Sequence, residues 1–219
     1  MNQESETKFQ ALRGFYDIPK IAVVNYGVGN LRSIRKALEK SGAKVQVTHD
    51  PVALKNADAI VLPGVGAFAP AVKNIQPIAS LLSETMKTGK PILGVCLGLQ
   101  LLFTKSNEGG LVNGLDFISG EVVKLPETVK TPQMGWNTIN FVKYHPLLEG
   151  VTNGSYVYFV HSYYPQPTDP MVVVTTTEYG VNFASMVAKK NLFATQFHPE
   201  KSSKTGLTML KNFVTITKR

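Results

Sequence analysis

Apolar residues in the first half of the chain fall in short continuous runs, separated by stretches in which they recur every three to four positions. The runs suit strands buried on both faces and the intervening stretches suit half-buried helices. Ile21 to Tyr26, Ala43 to Thr48, Ala57 to Leu62 and Ile92 to Val95 read as strands. Helical spacing covers Leu31 to Lys40, closed by Gly42, then Ala69 to Ile75 and Ile78 to Thr88 on either side of Pro77, and Leu97 to Phe103. Strands alternating with helices at this spacing predict a parallel sheet with right-handed crossovers, whose ligands gather beyond the carboxyl ends of the strands.

After Phe103 the pattern changes. Thr104 to Gly114 reads as loop, and short strand-like runs follow at Phe117 to Leu125, Trp136 to Val142, Tyr156 to Tyr164, Met171 to Thr177, Asn182 to Ala188 and Leu192 to Phe197. A helix over Ser203 to Ile216 closes the chain. The fold class expected is therefore α/β, a mostly parallel central sheet flanked by helices, with additional antiparallel strands in the second half. Residues 1–19 are polar and irregular and read as an N-terminal extension, a candidate for disorder, ahead of one domain over 20–219.

Composition narrows the function classes. The 219 residues, 43% hydrophobic and 17% charged, suffice for one substantial core and require no second domain. No apolar run reaches the eighteen or so residues of a membrane span, and the first residues lack the apolar centre of a secretory signal. A single cysteine excludes an internal disulfide and a Cys-rich metal site and suits a reducing cytoplasm. The net charge of +8 would serve nucleic acid, a phosphorylated substrate or an acidic partner. The basic residues, however, are scattered without interleaved aromatics or a recognition helix, so a solvated basic surface is expected and nucleic acid is not. Gly27 and Gly29 lack the third glycine of a dinucleotide fingerprint and any Walker lysine, which leaves a close backbone turn. No cofactor and no metal are expected.

The chemistry centres on G-V-C-L-G-L-Q at residues 94–100, where a buried strand meets a helix at Cys96. This G-x-C-x-G is the thiol counterpart of the nucleophile elbow, in which glycines permit a tight strand-to-helix turn that presents the nucleophile. The plain alternative is a small buried apolar residue. A free thiol with a pKa of roughly 8.5 is mostly protonated at neutral pH, and making thiolate the major form takes a drop of about two units, or about 2.7 kcal/mol. A helix N-terminus supplies about 0.3 to 1 kcal/mol of that, so a second activating group is required.

F-H-P-E-K-S at residues 197–202 offers one. Pro199 biases His198 toward extended backbone, where residues two apart face the same way, so Glu200 falls beside His198. A carboxylate on one imidazole nitrogen fixes the tautomer and aims the other at a nucleophile. The loop P-G-V-G-A-F at residues 63–68 follows another strand, and its glycines leave backbone N–H groups unobstructed, as an oxyanion loop needs. An ordinary strand-to-helix turn is its plain alternative. His49 and His145 lie in turns next to prolines and read as surface residues. His161 reads as a structural histidine near the site.

Taken together, G-V-C-L-G-L-Q-L-L-F, P-G-V-G-A-F and H-P-E-K-S resemble the class I (triad) glutamine amidotransferases. N-Y-G-V-G-N-L-R-S-I at the start, M-G-W-N at 134–137 and F-V-H-S-Y at 159–163 resemble their branch of glutaminase subunits from imidazole glycerol phosphate synthases of histidine biosynthesis, over about residues 20 to 217. The resemblance implies a Cys96, His198 and Glu200 triad that hydrolyses L-glutamine to glutamate and ammonia. It implies an oxyanion site from the N–H of Leu97 and of Gly64 or Val65. It places Gly66, Gln100, Glu108, Ser162 and Tyr163 around the substrate. Asn30, Trp136, Tyr158 and Lys201 resemble the interface with a cyclase subunit, a (β/α)8 barrel that receives ammonia through a channel within a heterodimer and makes imidazole glycerol phosphate and the aminoimidazole carboxamide ribotide. Asn25 departs from the Asp common in the family. A related branch supplying ammonia for surface-polysaccharide sugars and a catalytically silent interaction subunit are the alternative readings.

Overall fold

The computed structural model describes residues 18–27 and 29–218, so most of the N-terminal extension lies outside the described residues. The first half builds β1 (Lys20–Val24), α1 (Leu31–Lys40), β2 (Lys44–Thr48), α2 (Pro51–Asn56), β3 (Ala59–Leu62), α3 (Phe68–Ile75), α4 (Ala79–Thr88), β4 (Ile92–Val95) and α5 (Leu97–Gln100). The second half adds β5 (Phe103–Ser106), β6 (Val112–Asn113), β7 (Ile118–Lys124), β8 (Gln133–Thr138), β9 (Asn140–Phe141), β10 (Tyr156–His161), β11 (Tyr163–Pro167), β12 (Val173–Glu178), β13 (Asn182–Lys189), β14 (Leu192–Thr195) and α6 (Ser203–Thr217).

The main sheet runs β2-β1-β3-β4-β14-β13-β12-β9. Its first five strands are parallel and its last three are added antiparallel. β3, β4 and β14 are buried along their whole length, which explains why they read as unbroken apolar runs. Successive residues of β1 serve opposite faces. Ile21 and Val23 join Ile34 and Leu38 of α1 and Leu210 and Phe213 of α6, while Ala22 and Val24 join Leu54 of α2, Phe68 of α3 and Leu82 of α4. Each such large side chain removed from water contributes about 1.5 to 3 kcal/mol, so the two-sided burial holds the sheet between its helical layers. Among the described residues no helix is long and apolar enough to cross a membrane.

The second half departs from its expected outline. The helix read over 97–103 stops at Gln100, because Leu101 and Leu102 give their carbonyls to Leu115, Phe117 and Ile118, and Phe103 opens a strand. The supposed loop 104–114 therefore contains most of β5 and all of β6. The run 136–142 is split between β8, which pairs β10, and β9 at the edge of the main sheet. The run 156–164 breaks at Ser162 into β10 and β11, and β11 joins a separate sheet of order β11-β7-β5-β6. Met171 falls in a 3-10 turn capped by Asp169, so β12 begins at Val173. His49-Asp50-Pro51 is the start of α2 and not merely a turn, with Asp50 accepting from the N–H groups of Val52 and Ala53 at 3.1 and 3.2 Å.

Candidate active site

Three strand ends of the main sheet converge on Cys96. It follows β4 directly, and its N–H donates to the Thr195 carbonyl at the end of β14 at 2.7 Å. Its backbone sits at φ 54° and ψ −109°, a conformation rarely adopted by a residue with a side chain. Such strain persists only where the surroundings enforce it. A Cβ on Gly98 would collide with the Leu62 carbonyl at the end of β3, and one on Gly94 would stand 2.9 Å from the Gly98 carbonyl oxygen. The two glycines thus let the turn close between β3 and β4. Because α5 has only four residues, its dipole gives the sulfur less than the longer helix expected from sequence, and direct contacts matter more.

The polypeptide beyond β14 carries the next group. His198 is extended, with φ −97° and ψ 97°, and a 3-10 turn over Pro199–Lys201 brings the Glu200 carboxylate to the ring, Nδ1 to Oε1 at 2.9 Å. The two side chains are only 2% and 4% exposed. A carboxylate accepts, so Nδ1 carries the proton and Nε2 is left for other work. Nε2 is buried and has no hydrogen-bond partner among the described residues. Burial by itself lowers the ring's pKa, but contact with Cys96 and then with Glu200 outweighs it and raises the pKa to about 10. The fold anchors this turn to β10: the His198 N–H donates to the Tyr158 carbonyl, and Ser202 Oγ donates to the His198 carbonyl while accepting from the Tyr158 N–H.

Cys96 opens onto a cleft of about 380 Å³. Val65, Gly66, Leu97, Gln100, Glu108, Ser162 and Tyr163 all line it, together with His161 and Lys201. Gly64 does not face the cleft. It packs under the elbow, where a Cβ would stand 2.7 Å from both the Leu97 Cβ and the Tyr26 hydroxyl. The Tyr26 hydroxyl also donates to the Pro63 carbonyl, tying the loop down. Leu97 opens α5, so its N–H has no intrahelical acceptor. Glu108 Oε2 accepts from the Phe68 N–H at 2.9 Å and caps α3, which has no cap of its own at Ala67. Among the described residues no group of three or more His, Cys, Asp and Glu side chains could hold a metal ion.

The residues expected at an interface divide. Trp136 and Tyr158 face each other across the β8–β10 pair with ring centroids 6.0 Å apart, and the Lys201 ammonium stands 5.7 Å from the Tyr158 ring centre. Trp136 is 52% exposed, and Met134 and Tyr156 beside it are exposed as well. Asn30 is engaged differently, capping α1 through the Ser33 N–H. Asn25 accepts from the Gly27 N–H at 3.3 Å, so the departure from Asp keeps a local turn bond.

Sequence reasoning passed over Gln196. It is fully buried, and its Nε2 lies 3.6 Å from the Cys96 sulfur. The signal was present: a polar residue two positions before His198 in an apolar strand shares that residue's side of the chain. His161, read as structural, has Nδ1 at 2.9 Å from the Tyr163 carbonyl and Nε2 at 2.9 Å from the Gln133 amide. Burial lowers its pKa to about 4, so the ring is neutral. The Tyr163 carbonyl can only accept, which puts the proton on Nδ1 and requires Gln133 to turn its NH2 toward Nε2.

The glutamine amidotransferase class-I family matches residues 22–217. The imidazole glycerol phosphate synthase subunit HisH of Archaeoglobus fulgidus is 52% identical over 200 residues, covering 91% of this chain and 100% of its own. That of Moorella thermoacetica is 51% identical, covering 88% and 93%. Among solved structures, PurLQS from Thermotoga maritima contains a chain of similar fold, with a TM-score of 0.72 at 21% identity over 91% of this chain and 99% of that one. By the family model it matches and its identity to those relatives, the chain belongs to the class-I glutamine amidotransferase family and, within it, to the HisH subunits of imidazole glycerol phosphate synthase.

Proposed function

We propose that the chain hydrolyses L-glutamine to glutamate and ammonia with Cys96, His198 and Glu200, as the glutaminase subunit of an imidazole glycerol phosphate synthase. The observation that carries this reading is the His198 ring, buried, held by Glu200 at Nδ1 and left free at Nε2 beside the only cysteine of the chain. With the ring's pKa raised to about 10, the thiol proton rests on His198 Nε2 near neutral pH, and the thiolate attacks the side-chain amide carbon of glutamine. The oxygen that becomes negative is received by backbone N–H groups of Leu97 and of the Gly64-Val65 loop. His198 then gives its proton to the departing nitrogen, releasing ammonia and leaving a glutamyl thioester. Water that gives its proton to the same ring then releases glutamate and restores the thiolate beside the charged ring. Gly66, Gln100, Glu108, Ser162 and Tyr163 hold the amino-acid end of the substrate, for which Glu108 exchanges its cap on α3.

The exposed aromatic face of Trp136 and Tyr158, with Lys201 beside it and Asn30 at the start of α1, is the docking surface for a cyclase subunit built as a (β/α)8 barrel, which consumes the ammonia. The test is turnover of the two-subunit complex on its phosphoribulosyl substrate with glutamine or with an ammonium salt as nitrogen source. Cys96→Ala is expected to lose glutamine-dependent turnover by about a thousandfold or more and to keep ammonium-dependent turnover. Retention of glutamine-dependent turnover removes Cys96 as the nucleophile.

A further inference from the structure

One buried group beside the sulfur has no part in the steps above: the side-chain amide of Gln196. It sits one residue past β14, fully buried, with Nε2 at 3.6 Å from Cys96 Sγ and Oε1 accepting from Gln100 Nε2 at 3.1 Å. Which end of the amide faces the sulfur follows from a chain of one-way hydrogen bonds. The Tyr163 main-chain carbonyl can only accept, so Gln100 turns its NH2 toward it, at 2.9 Å. The same NH2 faces Gln196, which must answer with oxygen. The Gln196 nitrogen is thereby committed to Cys96.

The sulfur has a neighbour of opposite sense in the Val160 carbonyl, which accepts from the thiol at 3.7 Å. A carbonyl favours the protonated sulfur, whereas an amide N–H favours the charged one. We propose that Gln196 is a further catalytic residue, whose side-chain N–H donates to the Cys96 sulfur when the thiol proton has left for His198. Donation to Val160 is then lost, and the Gln196 N–H remains as a donor to the sulfur on a side separate from the His198 ring. When the thioester is released, the same N–H receives the departing sulfur before it is reprotonated. The role rests on the glutaminase reading for its place in the reaction, but its physical content is a property of the free sulfur.

Alkylation of the full-length chain by iodoacetamide reads that sulfur alone, since there is one cysteine, and needs neither glutamine nor the partner. Gln196→Leu removes the donor. Gln196→Glu keeps the shape and an oxygen for Gln100 but turns a carboxylate oxygen toward the sulfur. The pH of half-maximal alkylation is expected to rise by about one unit in Gln196→Leu and further in Gln196→Glu. With the partner present, kcat on glutamine is expected to fall roughly tenfold or more with a smaller change in KM. A packing role predicts the reverse order, with Gln196→Glu close to wild type, and that order overturns the proposal. So does an unchanged alkylation profile in folded variants. In the wild-type chain the Gln196 side-chain amide protons are expected to shift in NMR spectra as the thiol titrates, a reading that needs no variant; protons that stay fixed overturn it too. A wild-type chain that shows these alkylation and NMR effects but never releases glutamate with its partner defeats the glutaminase reading and leaves the donor assignment intact.

Discussion

Three of the four histidines are held in opposite charge states for reasons their surroundings supply. His198 loses by burial but gains more from Cys96 and Glu200, and its pKa rises to about 10. His161 and His145 are lowered to about 4, chiefly by burial; in His161 the hydrogen bond to the Tyr163 carbonyl opposes this in part and nearby His198 adds to it, and in His145 nearby Lys143 adds to it. His145 is further committed to neutrality because its Nδ1 accepts the Leu147 N–H. The signs predict opposite contributions to stability. A raised ring stabilises the fold fully below its unfolded value of about 6.5 and loses that contribution as pH climbs toward about 10. The lowered rings contribute above about 6.5 and lose it as pH falls toward about 4. Denaturant unfolding across pH should therefore show an alkaline loss that flattens in His198→Asn and an acid loss that does not. Ring NMR titrations should find His198 still charged near pH 8 and the other two neutral near pH 6. At this scale the pairing of His198 with Glu200 was legible because it is local, two residues apart in extended chain. Gln196 obeys the same rule and was overlooked for want of an obvious chemistry, and the cap that Glu108 gives α3 depends on a contact forty residues away.

The elbow is the element on which the site depends, and its two glycines are needed for different reasons than the glycines of ordinary turns. Gly98→Ala drives a methyl into the β3 backbone, which cannot yield as a side chain could. It is expected to cost about 3 kcal/mol or more and to remove iodoacetamide-reactive thiol geometry. Gly42→Ala, at φ +97° with open space around it, is expected to cost only about 1 kcal/mol, measured by the same denaturant titration. Asp50→Ala should likewise cost about 1 kcal/mol through the lost cap of α2. β1, β3 and β4 were legible because burial on both faces leaves an unmistakable apolar run. α2 was not, since its six residues are too few for periodicity to register and only the Asp-Pro start announced it. β5 was hidden behind α5: Leu97, Leu101 and Phe103 fit a helical face in sequence, but the carbonyls of Leu101 and Leu102 are taken by the segment at 115–118.

For the molecule as a whole, the sheet brings together groups a hundred residues apart, Cys96 after β4 and His198 after β14, because those two strands are direct neighbours. That adjacency follows from crossover topology and was foreseeable only as the general rule that ligands gather at strand carboxyl ends. The division of the second half into three sheets was not foreseeable, because the one-residue breaks at Ile139 and Ser162 carry no turn signal. The outer β8–β10 pair is stitched to the His198 turn through Tyr158 and Ser202, so a partner on the Trp136 face presses on the same strand that positions the ring. Trp136→Ala should weaken association with the proposed cyclase partner by about 2 kcal/mol or more, measured by calorimetry, while leaving alkylation of Cys96 in the isolated chain at its wild-type rate.

The proposed hydrolysis passes through a glutamyl thioester on Cys96. Hydroxylamine intercepts such an ester as γ-glutamyl hydroxamate, so its formation from glutamine by the two-subunit complex is the direct measurement. Wild type is expected to form the hydroxamate at the expense of glutamate and Cys96→Ala to form none. Glutamate release without any hydroxamate, or hydroxamate undiminished in Cys96→Ala, contradicts it.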